Sequence, residues 1–111
     1  MNAHLSSLYD AGTLALHEGR LEEAHTLLSL VAARTQDASL AAQAWGNLGV
    51  GLRRQGRQDE ARQAFETALQ HDPARTSAHF NLANTLRSMG ALDEALAHYK
   101  ALAKAHPERA D

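Results

Sequence analysis

The chain contains no cysteine, so no disulfide, thiolate nucleophile or cysteine-bearing zinc site can form. That suits a reducing compartment. Only two prolines are present, Pro73 and Pro107, and 44% of the residues are hydrophobic. A folded chain is therefore expected rather than a disordered one. There is no excess of positive charge: 11 Lys and Arg face 13 Asp and Glu, a net charge of -2. This argues against a nucleic-acid-binding footprint, which needs a strongly basic face. Long apolar runs are missing too. The longest uncharged run, Ala38 to Leu52, includes Ser39, Gln43 and Asn47 and is shorter than the ~18 residues of a membrane span, so no membrane insertion is expected. Met1 to Asp10 shows no basic patch followed by an apolar stretch, so no signal peptide is expected. These absences lead us to expect a soluble, cytoplasmic protein. Its 111 residues suit a single domain, 1–111.

Signatures of catalysis are equally scarce. Seven histidines are present, at His4, His17, His25, His71, His79, His98 and His106, but none form an i, i+4 pair and there is no His-Glu-x-x-His. Scattered surface or groove histidines are expected, with no metal. No phosphate-binding G-x-x-x-x-G-K-[ST] loop occurs, and Gly46, Gly49 and Gly51 fall inside a helical stretch rather than after a strand. Nothing local ties Ser, His and Asp into a triad, an arrangement recognised by geometry alone. Neither an enzyme nor a cofactor is expected.

What is there is a repeat. Trp45 to Pro73 reads W-x-x-L-G-x-x-L-x-x-x-G-x-x-x-x-A-x-x-x-F-x-x-A-x-x-x-x-P. Its apolar positions recur at helical spacing, Gly56 interrupts the run, and Pro73 stops the second half. Adding 34 to Gly56, Ala61, Phe65 and Pro73 gives Gly90, Ala95, Tyr99 and Pro107, and subtracting 37 from Gly49, Gly56 and Ala61 gives Gly12, Gly19 and Ala24. Self-similarity at such a period marks a solenoid.

Trp45, Leu48, Gly49, Ala61, Phe65 and Pro73 stand at the spacing of the tetratricopeptide repeat, and the chain resembles that family over nearly its whole length. Three copies cover roughly 5–41, 42–75 and 76–109. The first is degenerate, with Leu8 at the tryptophan place, Leu28 at the aromatic place and no closing proline. The resemblance implies an all-α, right-handed superhelical solenoid of three antiparallel helix hairpins that binds protein or peptide partners through variable surface residues.

Periodicity predicts helices over about Leu5–Glu18, from Leu21, and over Ala42–Gln55, Gln58–His71, Thr76–Met89 and Leu92–Ala105. Leu8, Ala11, Gly12 and Ala15 are expected to make the inner stripe of the first helix, and Leu96 and Tyr99 to face Leu82, Ala83 and Leu86 in the last hairpin. The three extra residues of the first repeat must lie between Arg34 and Leu40, as a lengthened helix end or a looser turn. Two acids open each second helix, Glu22 with Glu23, Asp59 with Glu60, and Asp93 with Glu94, where negative charge suits the helix dipole. Gly12, Gly49 and Ala83 occupy one equivalent place, where a small residue lets paired helices approach. Trp45 is expected to fill the wedge between hairpins. Ala97, Ala101 and Ala105 give the last helix an outer side that is either a mildly apolar end or a self-association surface.

Stacked hairpins align the spare faces of the first helices into a concave wall. Its columns are Tyr9, Gly46 and Phe80; Asp10, Asn47 and Asn81; Thr13, Val50 and Asn84; Leu16, Arg53 and Arg87; and His17, Arg54 and Ser88. Tyr9, Val50 and Phe80 supply apolar contacts, or fill the crevice between helices. Asn47, Asn81 and Asn84 can both donate to and accept from the backbone of an extended peptide. Arg53 and Arg87 can anchor a carboxylate, although the helix dipole alone favours cations there. With Thr13, these nine residues are the expected peptide-binding set. The dicarboxylate clamp that some relatives use for chaperone C-termini is not expected, since Tyr9, Thr13, Ser77 and Asn81 stand where basic and other clamp residues belong and only Asn47 matches. The expected function is a scaffold, adaptor or chaperone-like module holding a partner's peptide or helix, one with an acidic group. The alternative is an assembly subunit that forms homo-oligomers through its ends.

Overall fold

The computed structural model describes residues 3–106. Six helices follow one another: α1 (Ala3–His17), α2 (Leu21–Arg34), α3 (Ala38–Arg54), α4 (Gln58–His71), α5 (Thr76–Ser88) and α6 (Leu92–Ala105). No strand occurs among the described residues. Neighbours in sequence are neighbours in space, and the three hairpins α1/α2, α3/α4 and α5/α6 stack as a right-handed superhelical solenoid. Helices α4 and α6 keep the expected bounds, while Pro107 lies outside the described residues. The main departure is α3, which begins at Ala38 rather than Ala42. The Asp37 carboxylate accepts from the backbone N–H groups of Ser39 at 2.9 Å and Leu40 at 3.3 Å, and this cap starts the helix early. The extra residues of the first repeat therefore go into a longer helix.

Each hairpin turns on the same device. Gly56 has φ +78°, as does Gly19, and Gly90 has +84°. A side chain there would meet the steric cost of the left-handed region. In the middle hairpin the Gly56 N–H donates to the Arg53 carbonyl at 3.0 Å and the Arg57 N–H reaches the Leu52 carbonyl at 2.9 Å. Both bonds recur at Gly19 with Arg20 and at Gly90 with Ala91. This is the Schellman arrangement, which satisfies carbonyls that a helix end would otherwise strand.

Within a hairpin, close approach depends on a missing side chain. A Cβ built on Gly49 would stand 2.5 Å from the Phe65 ring, and Phe65 is fully buried. At Gly12 the same atom would meet Leu28 at 2.9 Å. Three expectations about facing need correction. Ala11 is exposed rather than on an inner stripe, and Leu96 is 50% exposed rather than packed on α5. Leu16, placed by its column on the open wall, is buried instead, with its side chain against Gly51 of α3.

The stack is curved. Helices α1, α3 and α5 touch one another in a row, whereas α2, α4 and α6 contact only the odd-numbered helices through their backbones. The odd helices are thus the tight, inner layer. Between α2 and α4 a gap of about 300 Å³ remains, bordered by His25, Ser29, Gln63 and Thr67 and partly closed by Trp45 from α3. Trp45 does stand between the hairpins, but it is only partly buried.

The last hairpin carries a histidine pair. His79 Nε2 lies 2.9 Å from the Pro73 carbonyl, which can only accept, so this nitrogen bears the proton. The Nδ1 of neutral His79 then accepts from His98 Nδ1–H across 3.3 Å. Burial, followed by the neighbouring His79, holds the His98 imidazole below its ordinary range.

Candidate functional site: the inner wall

The wall made by α1, α3 and α5 differs in charge from the outer layer. The inner helices carry one acid, Asp10, while the outer helices carry Glu22, Glu23, Asp59, Glu60, Glu66, Asp93 and Glu94. On the outer layer, and in the turns leading into it, three of four arginines are neutralised, and Arg34 in the last turn of α2 is the exception among the described residues. Arg20 pairs with Glu18 and Glu23, Arg57 with Glu60, and Arg62 with both Glu66 and Glu94. The inner wall is the opposite. Arg53 and Arg87, in the last turns of α3 and α5, and Arg75, at the N-cap of α5, have no carboxylate within ion-pair distance among the described residues.

The nine expected site residues fall into separate groups. Tyr9 and Asn47 come together across the first junction, the Asn47 amide donating to the Tyr9 hydroxyl at 2.9 Å. Burial raises the Tyr9 phenol above its ordinary range, and the positive charge of Arg75 pulls the other way. Val50, Arg53 and Asn81 border one cleft of about 290 Å³, joined there by Arg54, with the fully buried Phe65 behind them. Arg54 crosses the first junction as well, donating to the Leu16 carbonyl at 2.7 Å. Thr13 turns its hydroxyl back onto the Asp10 carbonyl at 2.9 Å. Phe80 and Asn84 belong with the last hairpin instead. Phe80 meets the Tyr99 ring edge-on at 6.4 Å, and the Tyr99 hydroxyl donates to the Asn84 side-chain carbonyl.

The asparagines are therefore not equivalent. Asn47 and Asn84 already spend part of their hydrogen-bonding capacity on tyrosines, whereas the Asn81 side chain has no protein hydrogen bond among the described residues and opens on the arginine-lined cleft. Column reading missed Arg75, which sits before a helix, outside the repeated columns. The absence of acid from α3 and α5 was the available signal.

The tetratricopeptide repeat model matches residues 9–73 and again 48–110, overlapping over the middle hairpin. The chain belongs to the tetratricopeptide repeat family. Its hairpin stack is similar to solved structures of MamA. One, of a mutant, is 27% identical with a TM-score of 0.80, covering 93% of this chain and 73% of that one. Another, of MamA MSR-1, is 29% identical with a TM-score of 0.79, covering 97% of this chain and 60% of that one. A structure of Pseudomonas aeruginosa pilF, at 21% identity and a TM-score of 0.83, covers 91% of this chain and 45% of that one, and shares the fold. This tetratricopeptide chain thus spans between about half and three quarters of the length of these structures. No curated protein matches it. Membership makes it a protein-interaction scaffold in the broad sense. No described helix is long and apolar enough to cross a membrane, and no described group of three or more metal-binding side chains is present.

Proposed function

We propose that the inner wall holds an extended, acidic segment of a partner protein. The observation that carries this reading is the separation of charge between layers: unpaired Arg53, Arg75 and Arg87 inside with Asp10 the one acid on the inner helices, and seven acids outside, where Arg34 is the one arginine of four left without a carboxylate among the described residues. A guanidinium without a carboxylate partner keeps its fork of donors available for a ligand carboxylate. The partner's backbone would meet the Asn81 amide, and a small apolar side chain would enter the cleft beside Val50. Attraction of this kind acts mainly on the association rate and on the choice of partner, and weakens as salt rises. A cysteine-free chain suits the reducing cytoplasm, which is the compartment we propose.

The test uses fluorescein-labelled extended peptides that alternate glutamate with small apolar residues, beside counterparts that carry lysine. Anisotropy should show binding of the acidic peptide alone. Arg53→Glu combined with Arg87→Glu should weaken it at least about tenfold, or ~1.4 kcal/mol, with an unchanged melting curve. Equal binding of both peptides, or no response to the double charge reversal, would remove the inner wall from the reading.

A further inference from the structure

The two ends of the stack present complementary halves of the junction that the chain uses twice inside itself. At the first junction α3 lays Leu48 and Gly51 against α1 and α2, with Ala44 on the same stripe fully buried. At the second junction α5 uses the equivalent stripe, Ala78, Leu82 and Thr85, all buried. The corresponding stripe on α1 is Ser7, Ala11 and Leu14. It has no hairpin before it among the described residues, and all three residues are exposed, Leu14 by 54%.

The other end carries the matching half. On the middle hairpin α5 packs across α3 and α4, and Ala42, Phe65 and Ala68 are fully buried. One repeat later the same places hold Thr76, Tyr99 and Leu102, which are only half-buried. With Phe80, 52% exposed, and Ala103 they border an open cavity of about 630 Å³. This cavity lies where a following first helix would sit.

We propose that α1 of a second copy of this chain docks into the Phe80–Tyr99–Leu102–Ala103 socket and repeats the internal junction between molecules. The occupant is specified by the fold. The socket is built to take a first helix whose stripe is small or apolar, and the chain displays such a helix at its opposite end. The joint is heterologous, head to tail, so each added copy leaves a fresh stripe and a fresh socket. Because the successive junctions of a superhelix do not close on themselves, the product is an open chain rather than a closed dimer. The stripe and the socket avoid Arg53, Asn81 and Arg87, so this assembly stands independently of peptide binding on the wall.

Two blocked variants test it. Leu14→Glu places a charge on the stripe, and Ala103→Glu places one in the socket; both positions are exposed, and circular dichroism should match the parent. In sedimentation velocity the unmodified chain should rise above its monomer mass of 12.0 kDa as concentration increases. Each variant alone should need at least about tenfold more protein to do so. An equimolar mixture retains one good stripe and one good socket, and should form a dimer and nothing larger. An unmodified chain that stays monomeric throughout overturns the proposal and leaves the socket to a different helix. So does assembly that Ala103→Glu abolishes and Leu14→Glu spares, which marks a symmetric socket-to-socket contact, or a mixture whose components fail to pair.

Discussion

The middle and last hairpins have nearly the same sequence pattern and different interiors. In α4, Ala61, Ala64, Phe65 and Ala68 are all buried, while in α6 only Ala95 is. Phe65 has no exposure, and its counterpart Tyr99 lies at the edge of an open cavity. The residue types are not the cause, since tyrosine and phenylalanine bury comparable area. Among the described residues the middle hairpin has neighbours on both sides and the last has one. In a solenoid the stability of a repeat is partly the property of its junctions, so one pattern yields a core in one place and a surface in another.

Substitutions at paired positions sharpen that contrast. Phe65→Ala should cost ~3–5 kcal/mol, and Tyr99→Ala clearly less, by chemical denaturation. Equal losses would show that burial by a second neighbour is not what separates the hairpins. Gly49→Ala should come next, at ~1–3 kcal/mol, because the new methyl would press on the Phe65 ring 2.5 Å away. The last hairpin already has Ala83 at that place, so Ala83→Gly should not tighten it. Gly56→Ala and Gly90→Ala should each cost ~1–2 kcal/mol from the positive φ and thus break the contrast, since both turns are built alike. A large difference in thermal melts would mean that the turn feels the neighbouring hairpin.

A smaller effect concerns pH and should be confined to the last hairpin. His98 has a folded-state pKa below its ordinary 6.5, so the unfolded chain takes up its proton first. Stability is then full above pH 6.5 and falls as pH drops from 6.5 through the lowered value. Amide exchange in α5 and α6 should accelerate in that window more than in α3 and α4, and His98→Gln should flatten the response. Smallest of all is Glu60→Gln. The Arg57–Glu60 pair is exposed, and such pairs contribute little. A melt indistinguishable from the parent is expected.

The sequence made much of the fold legible. Gly56, Gly90 and the acids that follow them placed α4 and α6, because glycine at a helix end and acid in a first turn have local causes. Errors arose where the cause was not local. Ala11 and Leu96 follow the helical period of a buried stripe, yet each lies on an outer hairpin where no described residue covers it. The Asp37 cap was hidden by the expectation that the first helix of a repeat starts where its relatives start. Within the site, columns grouped equivalent residues but could not show how one repeat leans on the next. The Asn47–Tyr9 bond, the Arg54 bond to the Leu16 carbonyl and the burial of Leu16 all depend on that lean.

The packed row of odd helices and the loose spacing of even ones have a mechanical consequence. Curling the molecule further would compress α1, α3 and α5, which are already in contact. Straightening it only asks α2 and α4 to drift together into space that Trp45 leaves unfilled. The stack is therefore a spring with unequal stiffness, yielding readily toward flatness and resisting a tighter coil.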